Sequence, residues 1–155
     1  MIGRDEELAI LRGAVDSARS GAGGALLLLG EPGIGKSTLL EAAQEYARSC
    51  DVPVIATAGV EIETGMPYAG LHRLLRPLLG EIDALDALHR GVLRAALGLG
   101  DEPPGEPLLV GLALLELLSA HAPVAVIADD LHWLDRPSRD ALAFVGRHLA
   151  DRPIV

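Results

Sequence analysis

Apolar residues change their spacing several times along the chain, and each change predicts an element. From 5 to 18, Leu8, Leu11, Val15 and Ala18 recur at helical intervals. Asp5, Glu6 and Glu7 precede them, where carboxylates suit the positive end of a helix dipole. Residues 21–24 (GAGG) break the chain, and ALLLL at 25–29 is an unbroken apolar run before a glycine, the pattern of a strand buried on both faces. After the loop GEPGIG, the stretch 36–49 predicts a helix with Leu39, Leu40, Ala43 and Ala47 inward. The β-branched run VPVIATAG at 52–59 predicts a second strand.

From 68 to 121 the pattern is helical, with Leu71, Leu74, Leu75 and Leu78 on one stripe and Leu85, Leu88, Val92 and Leu93 on another. GDEPPGEP at 100–107 separates these from a third, more buried helix. PVAVIADD at 123–130 predicts a third strand ending in two acids, and 137–150 a helix with Pro137 in its first turn. PIV at 153–155 opens a fourth strand. Apolar strands alternating with helices predict an α/β fold on a parallel sheet.

Composition narrows the class. Half of the 155 residues are hydrophobic but only 3% are aromatic, which suits helices packed on aliphatic strands and excludes disorder. The formal charge of −9 and the lack of any arginine run speak against a nucleic-acid contact by this region. The single cysteine, Cys50, excludes a disulfide framework, suits a reducing cytoplasm and reads as an ordinary helix-end residue. The apolar stretch 108–128 is interrupted by Glu116, His121 and Pro123, so it predicts a buried helix followed by a strand rather than a membrane span. The amino end, MIGRDEE, lacks the pattern of a signal peptide.

Of the 13 basic residues only Lys36 is lysine. It lies in Gly30-Glu31-Pro32-Gly33-Ile34-Gly35-Lys36-Ser37-Thr38, which satisfies G-x-x-x-x-G-K-[ST] after a predicted strand and before a predicted helix. The glycines let backbone N–H groups converge on phosphates, and the helix start adds its positive dipole end. Lysine is a compact point charge for the β- and γ-phosphates, whereas arginine is a broad planar fork. Ser37 offers a hydroxyl to Mg²⁺. A partner acid for that metal is expected at the tip of another buried strand, where Asp129 stands. Asp130, next along, is the candidate for polarising the attacking water. Aspartate is short for that work, which predicts slow hydrolysis.

Four segments together resemble one family: IGRDEEL, GGALLLLGEPGIGKSTLLE, TGMPYAGLHRLLRPL and DDLHWLDRPSRDALAFVGRHL. They are similar to the ATPase domain of large ATP-binding LuxR-type bacterial transcriptional regulators, in the STAND branch of AAA+-related P-loop ATPases. The resemblance implies a P-loop three-layer sandwich cut within its fourth strand, as one partial domain over 1–155. Residues 1–22 would carry the amino-terminal helix, and 23–155 the core with a helical insertion at about 68–121. It implies that Ile2, Gly3 and Arg4 lie near the adenine, although Arg4 by itself reads as a surface charge at a helix start. His132 is expected to be structural and Trp133 to pack as a core anchor. Tyr68 and His72 match without an evident chemical role.

The expected ligands are ATP and Mg²⁺. The expected partners are the regulator's lid, sensor and carboxy-terminal DNA-binding regions, with self-association through an open apolar sheet edge. Two rival readings are a P-loop kinase for a small acceptor and a nucleotide-binding scaffold without turnover. The kinase would draw on Arg73, Arg76, Arg90 and Arg94, which fall mostly on polar faces between leucines.

Overall fold

A computed structural model describes residues 4–155. Its first helix, α1 (Asp5–Arg19), buries Leu11, Val15 and Ala18. Helix α2 (Lys36–Ser49) answers with Leu39, Ala43 and Ala47, and Cys50 caps its carboxyl end. Strand β1 (Val54–Ala58) and strand β2 (Ala125–Asp129) pair in parallel, with Val54 opposite Ala125 and Ala58 opposite Asp129.

Between the strands run α3 (Ala69–Leu75), a 3₁₀ segment (Arg76–Ala84), α4 (Ala87–Ala96) and α5 (Pro107–Ala120). Helix α6 (Arg136–Gly146) follows β2. Helix α5 buries residues around most of its circumference, from Val110 to Leu118, as expected for a helix enclosed by α4 and α6. The stretch 108–128 therefore splits into α5 and β2 as its interruptions predict. No helix among the described residues is long and apolar enough to cross a membrane.

Adjacent β2 residues face opposite ways. Val124, just before the strand, joins the main core of Leu71, Leu74, Leu114 and Leu118. Ala125 joins Val15, Ala47 and Val52 beneath α1 and α2. Helices thus meet both faces of a small sheet, as the α/β reading requires.

The sheet is narrower than the sequence predicts. It has two strands, plus a parallel bridge from Val124 to Ile154 where the fourth run begins. Residues 25–29 do not form a ladder strand. Gly24 donates its N–H to Ile154 O at 3.0 Å, but no ladder bond among the described residues reaches 25–29. Gly23 lies so close to this edge that a Cβ there would sit 2.0 Å from Arg152 O. Leu28 packs against the α1–α2 cluster, whereas Leu27 is 64% and Leu29 82% exposed. An apolar run becomes a strand only where a neighbouring backbone takes its hydrogen bonds, so among the described residues the central layer holds two ladder strands.

Candidate functional site

Residues 30–35 form a curled loop between the unpaired apolar run and α2. Two glycines take left-handed conformations there, Gly33 at φ 79° and Gly35 at φ 94°, where side chains are strongly disfavoured. Gly35 is the residue from which α2 starts, and no side chain caps that start. The first turn also lacks an acid. Helices α4 and α6 are capped by Asp86 and Asp135, whereas α1, α3 and α5 start without such a cap, as α2 does. The N–H groups at the start of α2 and its dipole are thus left for an anion.

Lys36 folds back over the loop, its Nζ donating to Gly30 O at 2.8 Å and Glu31 O at 2.9 Å. Ile34 N–H donates to Glu31 O. Glu31, Pro32, Gly33, Ile34, Ser37 and Thr38 are exposed. Arg4 reaches the same loop, donating from Nη2 to Ile34 O at 2.7 Å while Nη1 pairs with Glu7 at 2.9 Å. It is therefore a loop contact rather than a free surface charge. Ile2 and Gly3 lie outside the described residues.

The acid pair ends β2. Asp129 is half-buried, and its Oδ1 accepts the N–H of Asp130 at 2.8 Å. Asp130 is exposed and left-handed, at φ 46° and ψ 48°, a conformation aspartate tolerates better than most residues. A 3₁₀ turn (Leu131–Trp133) follows, with Trp133 N–H donating to Asp130 O at 2.8 Å. Trp133 is 36% exposed and tilts against the His132 ring at 4.9 Å. It is not the core anchor expected, because the short turn holds it at the surface. Leu134 takes the buried place instead.

Among the described residues no group of three or more His, Cys, Asp or Glu side chains gathers around a metal position. The Ser37 hydroxyl and Asp129 carboxylate are nevertheless hard oxygen donors of the kind Mg²⁺ takes. That ion fills its remaining positions with water and substrate phosphates rather than a protein cage, so the donor set fits. No side-chain hydrogen bond joins Lys36 or Ser37 to either acid among the described residues.

Sequence reasoning missed what holds this end of the molecule together. Asp135 is 2% exposed. Its Oδ1 accepts Tyr68 N–H at 2.8 Å and Ser138 N–H at 3.0 Å, and its Oδ2 accepts Gly70 N–H at 2.8 Å. The Ser138 hydroxyl accepts Leu71 N–H at 2.8 Å. The stretches PYAGLH and WLDRPS are thus two halves of one bracket joining α3 to α6. Burial above all, helped by the carboxylates of Asp135 and Asp140, pushes the Tyr68 phenol up from its ordinary range.

Three of the four insertion arginines are already engaged. Arg73 pairs with Glu63 and donates to Ala58 O, Arg90 donates to Asp83 O, and Arg94 pairs with Asp83. A cleft of about 780 Å³ beside α3, touching Tyr68, His72, Arg76 and Leu97, includes none of the loop residues 30–38 and neither acid of the pair.

A glycine loop opening an uncapped helix, beside a parallel sheet with an acid-tipped strand, places the chain among α/β proteins of P-loop-like fold. The AAA ATPase domain family matches residues 1–155, and the chain belongs to that family. No curated protein matches the chain, and no solved structure does. Membership points to nucleotide binding, and AAA ATPase domains generally use ATP and Mg²⁺.

Proposed function

We propose that this chain binds ATP–Mg²⁺, hydrolyses it slowly, and serves as the nucleotide-dependent switch of a LuxR-type transcriptional regulator. The observation carrying this reading is the uncapped start of α2 with Lys36 folded onto the carbonyls of Gly30 and Glu31. In the proposed site, the backbone of 30–38 cradles the phosphates and Lys36 leaves the two carbonyls to meet the β- and γ-oxygens. Ser37 and Asp129 hold the metal, which would neutralise charge on the phosphates. Ile2, Gly3 and Arg4 would serve the base, and the bond from Arg4 to Ile34 O supports Arg4's place beside the loop. Asp130, exposed at the strand tip, takes the role of water-orienting acid.

In this reading 1–155 is one partial ATPase domain. Its partners are the regulator's lid, sensor and DNA-binding regions, and a cytoplasmic setting follows from a transcriptional role. A small-molecule kinase needs free arginines to clamp the phosphoryl group. The commitment of Arg73, Arg90 and Arg94 to internal partners favours the ATPase.

Titration calorimetry with ATP–Mg²⁺ tests the site. Losing one charge-assisted contact costs about 1.5–3 kcal/mol, so Lys36→Ala should weaken binding by roughly 10- to 100-fold. Unchanged affinity would sink the assignment. Phosphate release without an acceptor separates the ATPase from the kinase, and tight binding without release identifies the scaffold.

A further inference from the structure

Asp135 does more than a helix cap requires. Serine or asparagine would satisfy the start of α6 with one acceptor, yet here a carboxylate is buried with no cation beside it among the described residues. Burying that charge is costly unless both oxygens are fully bonded. The residue type makes sense because Oδ2 reaches across to Gly70 while Oδ1 serves α6 and Tyr68 together.

The linkage continues toward the acid pair without slack. Leu134 N–H donates to Leu131 O at 3.2 Å, and Trp133 N–H to Asp130 O at 2.8 Å. Gly59 donates to Asp129 O at 3.0 Å, and a Cβ at Gly59 would lie 2.2 Å from Asp130 O. On the far side, Thr57 Oγ1 donates to Gly70 O at 3.1 Å. A Cβ at Gly70 would lie 2.3 Å from Leu134 Cδ1. The two ends of this linkage, Asp130 at φ 46° and Tyr68 at φ 62°, are left-handed non-glycine residues. Aspartate tolerates this conformation, so the strain lies at Tyr68, where it persists because neighbours enforce it.

We propose that Asp135 is a positioning residue that couples the acid loop Asp129–Trp133 to α3, so that filling the phosphate loop changes the amides of Tyr68, Gly70 and Leu71. The proposal rests on the nucleotide reading above. Movement of the acids as metal and phosphate arrive passes through the closed 3₁₀ turn to Asp135. From there it reaches the first turn of the insertion.

The test is hydrogen exchange on the 155-residue chain with and without ATPγS–Mg²⁺, with binding measured separately by calorimetry. In the unaltered chain, exchange at Tyr68, Gly70 and Leu71 should change about fivefold or more on binding. Asp135→Asn keeps the shape but offers one acceptor oxygen where three N–H groups converge. It should bind nucleotide within about twofold of the unaltered chain and lose the response at those amides. Trp133, the only tryptophan, lies on the acid side of the break. Its emission should still respond to ATP–Mg²⁺ in that variant, which a loss of structure alone would not allow. Should Asp135→Asn fail to fold, Ser138→Ala removes only the acceptor for Leu71 and should abolish the response there. Nucleotide binding without any change at the three amides overturns the coupling and leaves the nucleotide reading standing. An undiminished response in the folded variants also overturns it. No binding by the unaltered chain overturns both.

Discussion

Gly59→Ala probes how tightly the acid loop is held. Gly59 follows β1, and a Cβ there would sit 2.2 Å from Asp130 O, 2.5 Å from Leu134 N and 2.6 Å from Trp133 C. All three are backbone atoms, so no side-chain rotation relieves the overlap and the loop must move by about 1 Å. Overpacking of this kind costs about 1–3 kcal/mol. The bond from Gly59 N–H to Asp129 O would stretch, costing about a further 1 kcal/mol. Against this, alanine loses less freedom on folding than glycine, which returns about 0.4–1 kcal/mol. The net expectation is a loss of about 1–3.5 kcal/mol. With a urea slope near 2 kcal/mol/M, the unfolding midpoint should fall by about 0.5–1.8 M. Weaker ATP–Mg²⁺ binding should accompany it, because Asp129 and Asp130 lie in the displaced segment. Gly65→Ala, where nothing lies within 4 Å and φ is unstrained, is the matched control and should stabilise by about 0.4–1 kcal/mol. A Gly59→Ala midpoint within about 0.3 M of the control would refute the claim that β1 grips the acid loop.

Other predictions follow from the same geometry. Gly13 and Gly91 lie in the exposed interiors of α1 and α4 with nothing within 4 Å of an added Cβ. Alanine at each should stabilise by about 0.5–1 kcal/mol in urea melts, and a loss at either would contradict the helix assignment. The Tyr68 phenol is pushed up by burial and nearby carboxylates, and that of Tyr46 by its hydrogen bond to Asp16. The unfolded chain therefore ionises first, so stability is intact below about pH 10 and falls as pH rises beyond it. Tyr68→Phe should flatten that decline, and an unaltered slope would count against it. Leu27→Lys with Leu29→Lys should reduce self-association in sedimentation experiments and leave the melt unchanged, since both leucines are exposed. Persistent association would remove the apolar run as its cause.

Periodicity exposed most of the architecture because burial governs it. Leu11, Val15 and Ala18 in α1, Leu39, Ala43 and Ala47 in α2, and the enclosed α5 face inward as their spacing demands. The run 25–29 shows the limit of that signal. Its residues have strand character, but a ladder depends on a partner backbone that no local pattern encodes. The glycine loop before α2 was legible as a turn because Gly33 and Gly35 stand together in one contiguous stretch. The bracket was only half legible. Asp135, Pro137 and Ser138 carry the signature of a helix start, whereas the amides of Tyr68, Gly70 and Leu71 lie more than sixty residues away. Backbone donors carry no residue code, so the partner of a buried carboxylate cannot be read from the chain.

The solitary lysine has a practical consequence. Only one side-chain ammonium exists in the sequence, and it rests on Gly30 O and Glu31 O. Supplying the growth medium with isotopically enriched lysine would place a single side-chain NMR resonance at the heart of the loop. That signal needs no mutation and no assignment, and its position would report when the ammonium leaves the carbonyls for another oxygen.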